Sequence, residues 1–414
     1  MNKYIIFYNQ TSGGFRCWFS DTEDIRTVKI LPSMSEYHQF YIVKGYEPND
    51  EGIMNYVNDF KQWCQELVSP EVDKIYYNGI DYAKYKTHDL AIYTTFKRLC
   101  KGKYDNHEQI TQLESKWMEA CNLGGMMYFD KNKSGVQQCY GYDYNSYYPK
   151  LLSSKDFLIP TKTGKEVTLK KLPKRDKLKV GYYRVMITSE NTEFRKVFAF
   201  SKEHTYTHLS LYHAKELRKQ FDVTIELIKD DKPNAFVYDK DDCVTGHHIF
   251  GKWYETIMKI RKLYPKNKLI KNIGTMLWGT LIQGNKRNVH VKDIEKFNVG
   301  IGTDTKYRII EHVTKSEIND YYIIEDNKKP YKYNMRIKAF LTSQGRNMIA
   351  KIALLDLPNV IRIQTDNVTF SCPQDIDPEI MKLEDKTTGF IEWNNVNSYE
   401  QVDIEEYIPK KSLF

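Results

Sequence analysis

The most constraining feature of the sequence is the segment YGYDYNSYYPK, residues 140–150, which holds a single carboxylate, Asp143. Aromatic and small polar side chains alternate along it, and such alternation predicts a β-strand. Pro149 cannot continue a strand ladder, and it favours the start of a helix. The segment therefore predicts a strand that carries Asp143 near its end and then turns into a helix.

A second isolated carboxylate, Asp366, lies in IRIQTDNVTF, residues 361–370. The apolar run before Thr365, Asp366 and Asn367 predicts a hairpin whose tip could carry a metal ligand. Taken alone, Asp366 is simply a turn residue. The order along the chain says more: a strand Asp, a proline turn, a basic helix ending in Trp-Gly, and a hairpin Asp. Two-metal phosphoryl transfer needs this set, because two carboxylates bridge the Mg²⁺ ions and a basic helix binds the triphosphate.

The charge of the chain indicates a polyanionic partner. Lys and Arg number 62 against 54 Asp and Glu, a net charge of +8, and basic residues cluster at 162–179 and 259–271. A single lysine run can equally be a solvated surface. The 32 tyrosines favour nucleic acid, because aromatic rings beside a basic groove stack on bases. Part of the tyrosine and lysine content is also what an AT-rich genome would produce.

Length and apolar patterning limit the class of protein. The 414 residues leave room for two or three domains of roughly 100–200 residues each. No apolar run approaches the roughly 20 residues of a membrane span, and the N-terminus lacks a signal-peptide core. We therefore expect a cytoplasmic protein without a membrane partner. The seven cysteines are odd in number and widely spaced, which indicates reduced thiols and neither a disulfide framework nor a zinc site.

Periodicity predicts a mixed set of strands and helices. Strands are predicted for KYIIFYN, VDKIYYNGI, KVGYYRVMITSE, DVTIELI and NVIRIQTDNVTFS. Helices are predicted for YKTHDLAIYTTFKRLC, SLYHAKELRKQF, MRIKAFLTSQGRNMIAKIALLD and a long stretch from Phe250 to Asn285 that is interrupted near Pro265.

These segments resemble the motifs of family B DNA polymerases, most closely the protein-primed branch of phages, adenoviruses and linear plasmids. DYNSYYP (143–149) resembles motif A, DxxSLYP. KNIGTMLWG (271–279) resembles motif B, Kx3NSxYG, and QTDN (364–367) resembles motif C, DTDS. Leu123-Gly124-Gly125 stands where that branch has YxGG. The resemblance spans about residues 120–407, and the order and spacing of the motifs make the set more specific than any one of them.

The resemblance implies an α+β fold with a right-hand polymerase palm and fingers, and a small degenerate RNase H-like exonuclease-type domain at the N-terminus. A thumb is expected to be absent or minimal, because the sequence given stops at Phe414. The implied domains are 1–112 (exonuclease-like), 113–160 (palm with motif A), 161–248 (insertion resembling the terminal-protein region), 249–285 (fingers) and 286–414 (palm with motif C).

The resemblance also implies residue roles. Asp143 and Asp366 would hold two Mg²⁺ or Mn²⁺ ions, and Tyr148 would be the steric gate that excludes a 2′-hydroxyl. Lys271 would contact the incoming triphosphate. Other expected substrate contacts are Arg261, Lys262, Trp278, Gly279 and Tyr144. Expected DNA contacts are Gly124, Gly125, Lys170, Lys171, Lys174 and Arg175.

Several positions depart from the polymerase motifs. Gln364 and Asn367 replace the first Asp and the Ser of motif C, while Thr275 and Met276 replace the Asn and Ser of motif B. The later KxY motif falls at Glu405-Glu406-Tyr407, where a carboxylate replaces the lysine.

The N-terminal region departs from the exonuclease motifs. Tyr8 and Gln10 stand at the first-strand positions of the metal-binding acids, so we expect no proofreading. Tyr85 to Asp89 resembles the third exonuclease motif, but Asp89 is better interpreted as a helix-start residue. Asn78 with Asp81 faintly resembles the second.

Two functions remain open at this point. The first is a reduced family B DNA polymerase that adds dNTPs to a DNA primer-template or to a protein hydroxyl. The second is a catalytically impaired, polymerase-derived nucleic-acid-binding scaffold, or one part of a split polymerase. Expected partners are DNA and dNTPs, with a terminal protein, a clamp or a separate thumb-bearing subunit as further candidates.

Overall fold

The computed structural model describes residues 3–10, 13–33, 35–43, 45–85, 87–300, 305–314 and 320–403. The chain divides into two compact units. The first comprises residues 1–103 and 249–281, and the second comprises 104–248 and 282–414. The first unit is therefore built from two separate chain segments, and the second of these, residues 249–281, contains motif B.

The helices are α1 (Asp50–Leu67), α2 (Pro70–Ile75), α3 (His88–Cys100), α4 (Gln112–Ala120), α5 (Tyr147–Leu152), α6 (Phe194–Val197), α7 (His208–Phe221), α8 (Gly246–Leu263), α9 (Lys268–Leu281) and α10 (Lys338–Ala353). The strands are β1 (Tyr4–Asn9), β2 (Phe15–Phe19), β3 (Ile25–Val28), β4 (Gln39–Ile42), β5 (Met127–Phe129), β6 (Gly135–Tyr144), β7 (Leu158–Pro160), β8 (Lys165–Val167), β9 (Gly181–Thr188), β10 (Thr205–Thr207), β11 (Thr224–Leu227), β12 (Ala235–Val237), β13 (Cys243–Thr245), β14 (Lys286–His290), β15 (Tyr307–Thr314), β16 (Asp320–Asp326), β17 (Val360–Gln364), β18 (Asn367–Phe370), β19 (Met381–Leu383), β20 (Gly389–Trp393) and β21 (Tyr399–Gln401).

The first unit is built on a mixed sheet in the order β3-β2-β1-β4, in which β1 and β4 run parallel. Helix α1 begins at Asn49, whose side chain accepts a hydrogen bond from the Gly52 N–H at 2.8 Å. Its buried face, which includes Tyr56 and Phe60, contributes to the aromatic core of this unit. We refer to this sheet as the first-unit sheet.

The second unit contains the largest sheet found among the described residues, in the order β21-β20-β6-β18-β17-β5, with β19 also paired to β6. We refer to it as the central sheet. Helix α10 packs against β17 and β18 of this sheet and against α5. The other sheets of the unit have the orders β10-β9-β12-β8, with β11 on β9, and β13-β7 and β14-β16-β15.

A fully buried ion pair joins distant segments of the second unit. Arg336 Nε donates to Glu114 Oε1 at 2.6 Å, and both side chains are completely buried. The hydroxyl of Tyr238 also donates to Glu114 at 2.6 Å, and Arg336 donates to the Glu108 carbonyl at 2.8 Å. The buried charges are therefore paired and hydrogen-bonded, which is the condition under which burial of charge is tolerated.

Most predicted elements are confirmed. The strand at residues 4–9, the strand and helix start around Asp143, both strands and the helix between 181 and 227, the interrupted helical stretch near Pro265 and helix α10 are all present. The predicted strand VDKIYYNGI is wrong: α2 covers its first half. Ser69 accepts a hydrogen bond from the Val72 N–H, and Pro70 stands in the first turn. This helix start overrides the β-propensity of the residues that follow.

Candidate active site

Strand pairing brings Asp143 and Asp366 to the same end of the central sheet. On β18, Asn367 lies directly opposite Asp143 of β6. The Tyr144 N–H donates to the Asp366 carbonyl at 2.9 Å. Asp366 stands in the two-residue turn between β17 and β18, where Thr365 has a φ of +58°. The predicted hairpin tip is thus confirmed, and the register places it next to the end of β6 that carries Asp143.

The Gly124-Gly125 pair lies against this hairpin tip. The Thr365 N–H donates to the Met126 carbonyl at 2.8 Å, and a Cβ at Gly125 would lie 2.8 Å from Thr365 Oγ1. Gly124 has a φ of +70°, a conformation that favours glycine. Gly125 therefore allows the close approach of Thr365, and Gly124 allows a left-handed backbone conformation.

Arg346 is a buried cation next to the same tip, and the sequence reasoning missed it. Only 5 % of this residue is exposed, and its guanidinium donates to the Gly124 carbonyl and to Ser343 Oγ. Burial lowers the pKa of Arg346 to about 10, so it stays protonated near neutral pH. The sequence feature that could have identified Arg346 is its position on a face of α10 that otherwise consists of apolar and small residues.

Three tyrosines of motif A follow Asp143 in the sequence. Tyr144 and Tyr147 are buried, and the Tyr147 hydroxyl donates to the Gly345 carbonyl. The Tyr147 ring lies 5.0 Å from that of half-buried Tyr148. Burial, and to a smaller extent the Asp366 carboxylate, raise the pKa of Tyr148 to about 12, although the Arg346 guanidinium acts in the opposite direction. Tyr148 is therefore a neutral phenol within electrostatic range of Asp366.

The two departures in motif C have structural partners. Gln364 Nε2 donates to Asn397 Oδ1 at 2.7 Å. Asn367 is buried, donates to Glu384 Oε2 at 3.0 Å, and accepts from Arg362 at 3.1 Å. Gln364 and Asn367 thus take part in amide and charge networks next to Asp366.

Arg362, which the sequence reasoning also missed, packs against two neighbouring aromatic rings. Its guanidinium carbon lies 5.2 Å from the ring centroids of Trp393 and Tyr399. Burial lowers the pKa of Arg362. No short-range signal in IRIQTDN indicated these partners, because they come from β20 and β21 about 30 residues later.

The motif B residues belong to the first unit. Arg261 and Lys262 lie in the last turn of α8, and exposed Lys271 lies on α9 with Trp278 and Gly279. Of the motif B departures, Thr275 donates its hydroxyl to the Lys271 carbonyl at 3.1 Å. The structure therefore groups Asp143, Asp366, Tyr144, Tyr148, Gly124 and Gly125 in the second unit and the motif B residues in the first.

The basic segment 162–179 is partly neutralised by local ion pairs. Lys162 pairs with Asp242 at 2.7 Å, and Arg175 pairs with Glu216. Lys165 and Lys179 both contact Asp239, at 3.2 and 2.7 Å. The remaining predicted DNA contacts of this segment are exposed; they are Lys170, Lys171 and Lys174.

An open groove of about 860 Å³ adjoins Gly125 within the second unit. Its lining includes exposed Met127 and Phe200 together with Arg195. Apolar and aromatic surfaces beside a cation suit the bases and phosphates of a single strand.

The exonuclease-like positions of the first unit carry other side chains. Tyr8 on β1 lies opposite Arg16 on β2, and Gln10 follows β1. Asp81 pairs with Lys84 at 2.9 Å. Asp89 stands in the first turn of α3, whose N-cap is Thr87, so its interpretation as a helix-start residue is confirmed. The predicted KxY position, residues 405–407, lies outside the described residues.

Within the described ranges, no group of three or more His, Cys, Asp or Glu side chains is arranged to hold a metal ion. Asp143 and Asp366 form a smaller set. Mg²⁺ is usually held by one or two carboxylates together with substrate phosphates, so this donor set fits Mg²⁺ or Mn²⁺.

The structure is similar to solved structures of Phi29 DNA polymerase. It matches the polymerase complexed with single-stranded DNA over 84 % of this chain and 57 % of that chain, with a TM-score of 0.55 and 12 % identity. The chain has a polymerase-like fold. The ternary complex with primer-template DNA and incoming nucleotides matches over 91 % of this chain and 66 % of that chain, with a TM-score of 0.51 and 13 % identity.

The chain thus spans little more than half of the length of the first of these polymerases. No protein-family model matches its sequence, and no curated protein matches it at a significant level. None of the helices in the described part of the chain is long and apolar enough to cross a membrane.

Proposed function

We propose that this protein is a DNA-directed DNA polymerase-type nucleotidyltransferase that adds dNTPs to a primer terminus. The observation that carries the proposal is the pairing of β6 with β18, which holds Asp143 and Asp366 at one end of the central sheet. The polymerase-like fold supports the same reading, since the likeness extends over most of this chain.

Asp143 and Asp366 are the residues proposed to hold Mg²⁺ or Mn²⁺ ions. When bound, such ions would stabilise the negative charge that develops on the phosphoryl group and would favour ionisation of the attacking hydroxyl. The carboxylates are supported through the backbone bond from Tyr144 to Asp366 and through the strand pair at Asn367, so their positions follow from the sheet.

The neighbouring residues are assigned substrate contacts. Tyr148 would stack under the sugar of the incoming nucleotide and leave no space for a 2′-oxygen. The Gly124-Gly125 turn and the groove beside it would hold the template strand, with Phe200 as a stacking surface. Arg346 would keep the Gly124 carbonyl, and hence that turn, in place.

Roles for residues of the first unit come from the sequence resemblance alone. Lys271, assisted by Arg261 or Lys262, would bind the triphosphate, because exposed basic side chains on a helix suit phosphate oxygens. Trp278 and Gly279 would contact the nascent base pair. Proofreading would be missing, since Tyr8 and Gln10 cannot replace metal-binding carboxylates.

Finer features remain proposals of the sequence resemblance. These are the protein-primed branch and the bounds of the five predicted domains; a cytoplasmic location, which the apolar patterning of the sequence suggests, is likewise a proposal. They also include partnership with a terminal protein, a clamp or a separate thumb-bearing subunit.

A second candidate is a polymerase-derived DNA-binding scaffold with little catalytic activity. The specific observation in its favour is the hydrogen bond between Gln364 and Asn397, which places an amide pair at the first motif C position.

Primer extension by the purified chain distinguishes the two candidates. A labelled primer-template is incubated with dNTPs and Mg²⁺ or Mn²⁺, and binding of the same DNA is measured in parallel. Extension that stops when the metal is chelated supports the polymerase. Tight DNA binding without extension under either metal supports the scaffold and contradicts the polymerase.

A further inference from the structure

Strand β19 brings a lysine next to Asp143. β6 pairs with β18 along one edge and with β19 along the other, and Lys382 lies directly opposite Asp143 in this second pairing. Asp143 is therefore flanked by Asn367 on one side and by Lys382 on the other. Nothing in the sequence motifs singled out Lys382, because β19 lies outside all of them.

Register determines the face on which this lysine stands. Side chains directly opposite each other in an antiparallel pair share one face, with Cβ atoms about 4.5–5.5 Å apart. Lys382 is exposed and Asp143 is partly exposed, so both side chains can reach solvent at this end of the sheet. No hydrogen bond or ion pair joins Lys382 to another residue in the part of the chain that the structure describes.

The acidic side chain that follows β19 is already engaged. Glu384, two residues after Lys382, accepts from Asn367 Nδ2 at 3.0 Å and from Thr387 Oγ1 at 3.3 Å. The Glu384 N–H also donates to the Gly141 carbonyl at 2.9 Å. These bonds hold the Glu384 carboxylate towards β18, which leaves the Lys382 ammonium available to an external anion.

We propose that Lys382 is a substrate-binding residue that contacts a phosphate group next to Asp143. This inference rests on the proposed function, which brings phosphates to the carboxylate pair. A lysine ammonium is a compact charge with three donors on a flexible stem, and it binds phosphate as a point charge. The positive charge of Lys382 beside Asp143 would also reduce the repulsion between the Asp143 and Asp366 carboxylates and an incoming polyanion.

The phosphate has two possible sources with the same chemistry: the triphosphate of the incoming nucleotide and the backbone phosphate at the primer end. Binding measurements with Ca²⁺, which supports binding with little turnover, separate them. The first arm titrates dNTP onto the preformed complex with primer-template. The second arm titrates primer-template alone.

The variants are Lys382→Met, Lys382→Arg and the matched control Lys386→Met, an exposed lysine four residues away in the turn at 385–387. We expect Lys382→Met to weaken binding about tenfold in one of the two arms, because a hydrogen bond to a charged group is lost. Lys382→Arg should recover most of that affinity, and Lys386→Met should stay within about twofold. The arm that changes identifies the phosphate.

Extension rates under Mg²⁺ are measured with the same proteins. If the wild type does not extend primers but Lys382→Met alone loses affinity, the phosphate contact stands and the proposed polymerase fails. If Lys382→Met and Lys386→Met bind equally in both arms, the inference is overturned whether or not the wild type is active.

Discussion

The first-unit sheet and the central sheet differ in the side chains at the strand ends where acidic residues were expected. β1 carries Tyr8 opposite Arg16, and Gln10 follows it. β6 carries Asp143, and the neighbouring hairpin carries Asp366. Both sheets have a buried core, although only the central sheet carries a carboxylate at the strand end. Chemistry at a sheet end depends on a few residues that the fold does not need.

The strongest test of this contrast is a search for nuclease activity. The purified protein, with Mg²⁺ or Mn²⁺ and single-stranded DNA labelled at its 5′ end, should not shorten the 3′ end, because Tyr8 and Gln10 cannot hold a metal pair. Product length on a denaturing gel is the measurement. Shortening that disappears in Asp89→Ala would show that the first unit does hold a nuclease site.

The buried ion pair of the second unit gives the next largest effect. Arg336→Met should lower the free energy of unfolding of this unit by about 3–5 kcal/mol, because Glu114 would remain buried without its partner. Denaturant titration with a probe in each unit is the measurement, since two units need not unfold together.

Lys338→Met is the matched control for that variant. Its partly exposed pair with Glu119, at 3.1 Å, should contribute only about 0–1 kcal/mol. Equal effects of Arg336→Met and Lys338→Met would contradict the distinction between buried and exposed pairs in this unit.

Sugar selection tests whether the central sheet site binds a nucleotide. Tyr148→Val should raise the ratio of rNTP to dNTP incorporation on the order of tenfold to a hundredfold, because removal of a ring frees space for a hydroxyl. Tyr148→Phe keeps the ring and should leave the ratio near that of the wild type. An unchanged ratio in Tyr148→Val would assign the gate to another side chain.

The smallest effect concerns acid stability of the second unit. Burial lowers the pKa of His107 and of His208 to about 4. The unfolded chain binds these protons near pH 6.5 while the folded chain stays neutral, so stability falls as the pH drops from about 6.5 towards 4. We expect a loss of about 1–2 kcal/mol for each histidine by pH 5.

Denaturant midpoints across this pH range measure that loss. His208→Gln should reduce the slope of stability against pH. A slope that is the same in the variant and in the wild type would contradict burial of a neutral imidazole at His208.

The sequence predicted the local features of the fold better than the tertiary ones. Alternation and Pro149 were enough to locate β6 and α5, and the interruption at Pro265 separated α8 from α9. The prediction failed at VDKIYYNGI, where the Ser69 cap and Pro70 started a helix. The sheet β14-β16-β15 was not predicted, since β14 and β15 are largely exposed and the strands lack a clear apolar alternation.

The residues of the candidate site also fall into those that local sequence motifs predicted and those that only the tertiary structure revealed. Asp143, Asp366 and Tyr148 were found because they stand in short motifs that resemble known ones. Arg346, Arg362 and Lys382 were not, because each acquires its place through pairing with segments far along the chain. A sequence without an alignment carries no direct record of such pairings.

The central claim is that Asp143 and Asp366 together support nucleotide addition. The most direct measurement is the rate of single-nucleotide extension by the wild type, Asp143→Asn, Asp366→Asn and the matched control Asp375→Asn, an exposed aspartate of the same unit. The account predicts no detectable extension by the first two variants, with primer-template binding retained, and a wild-type rate for Asp375→Asn. Extension by either Asp143→Asn or Asp366→Asn at the wild-type rate would contradict it.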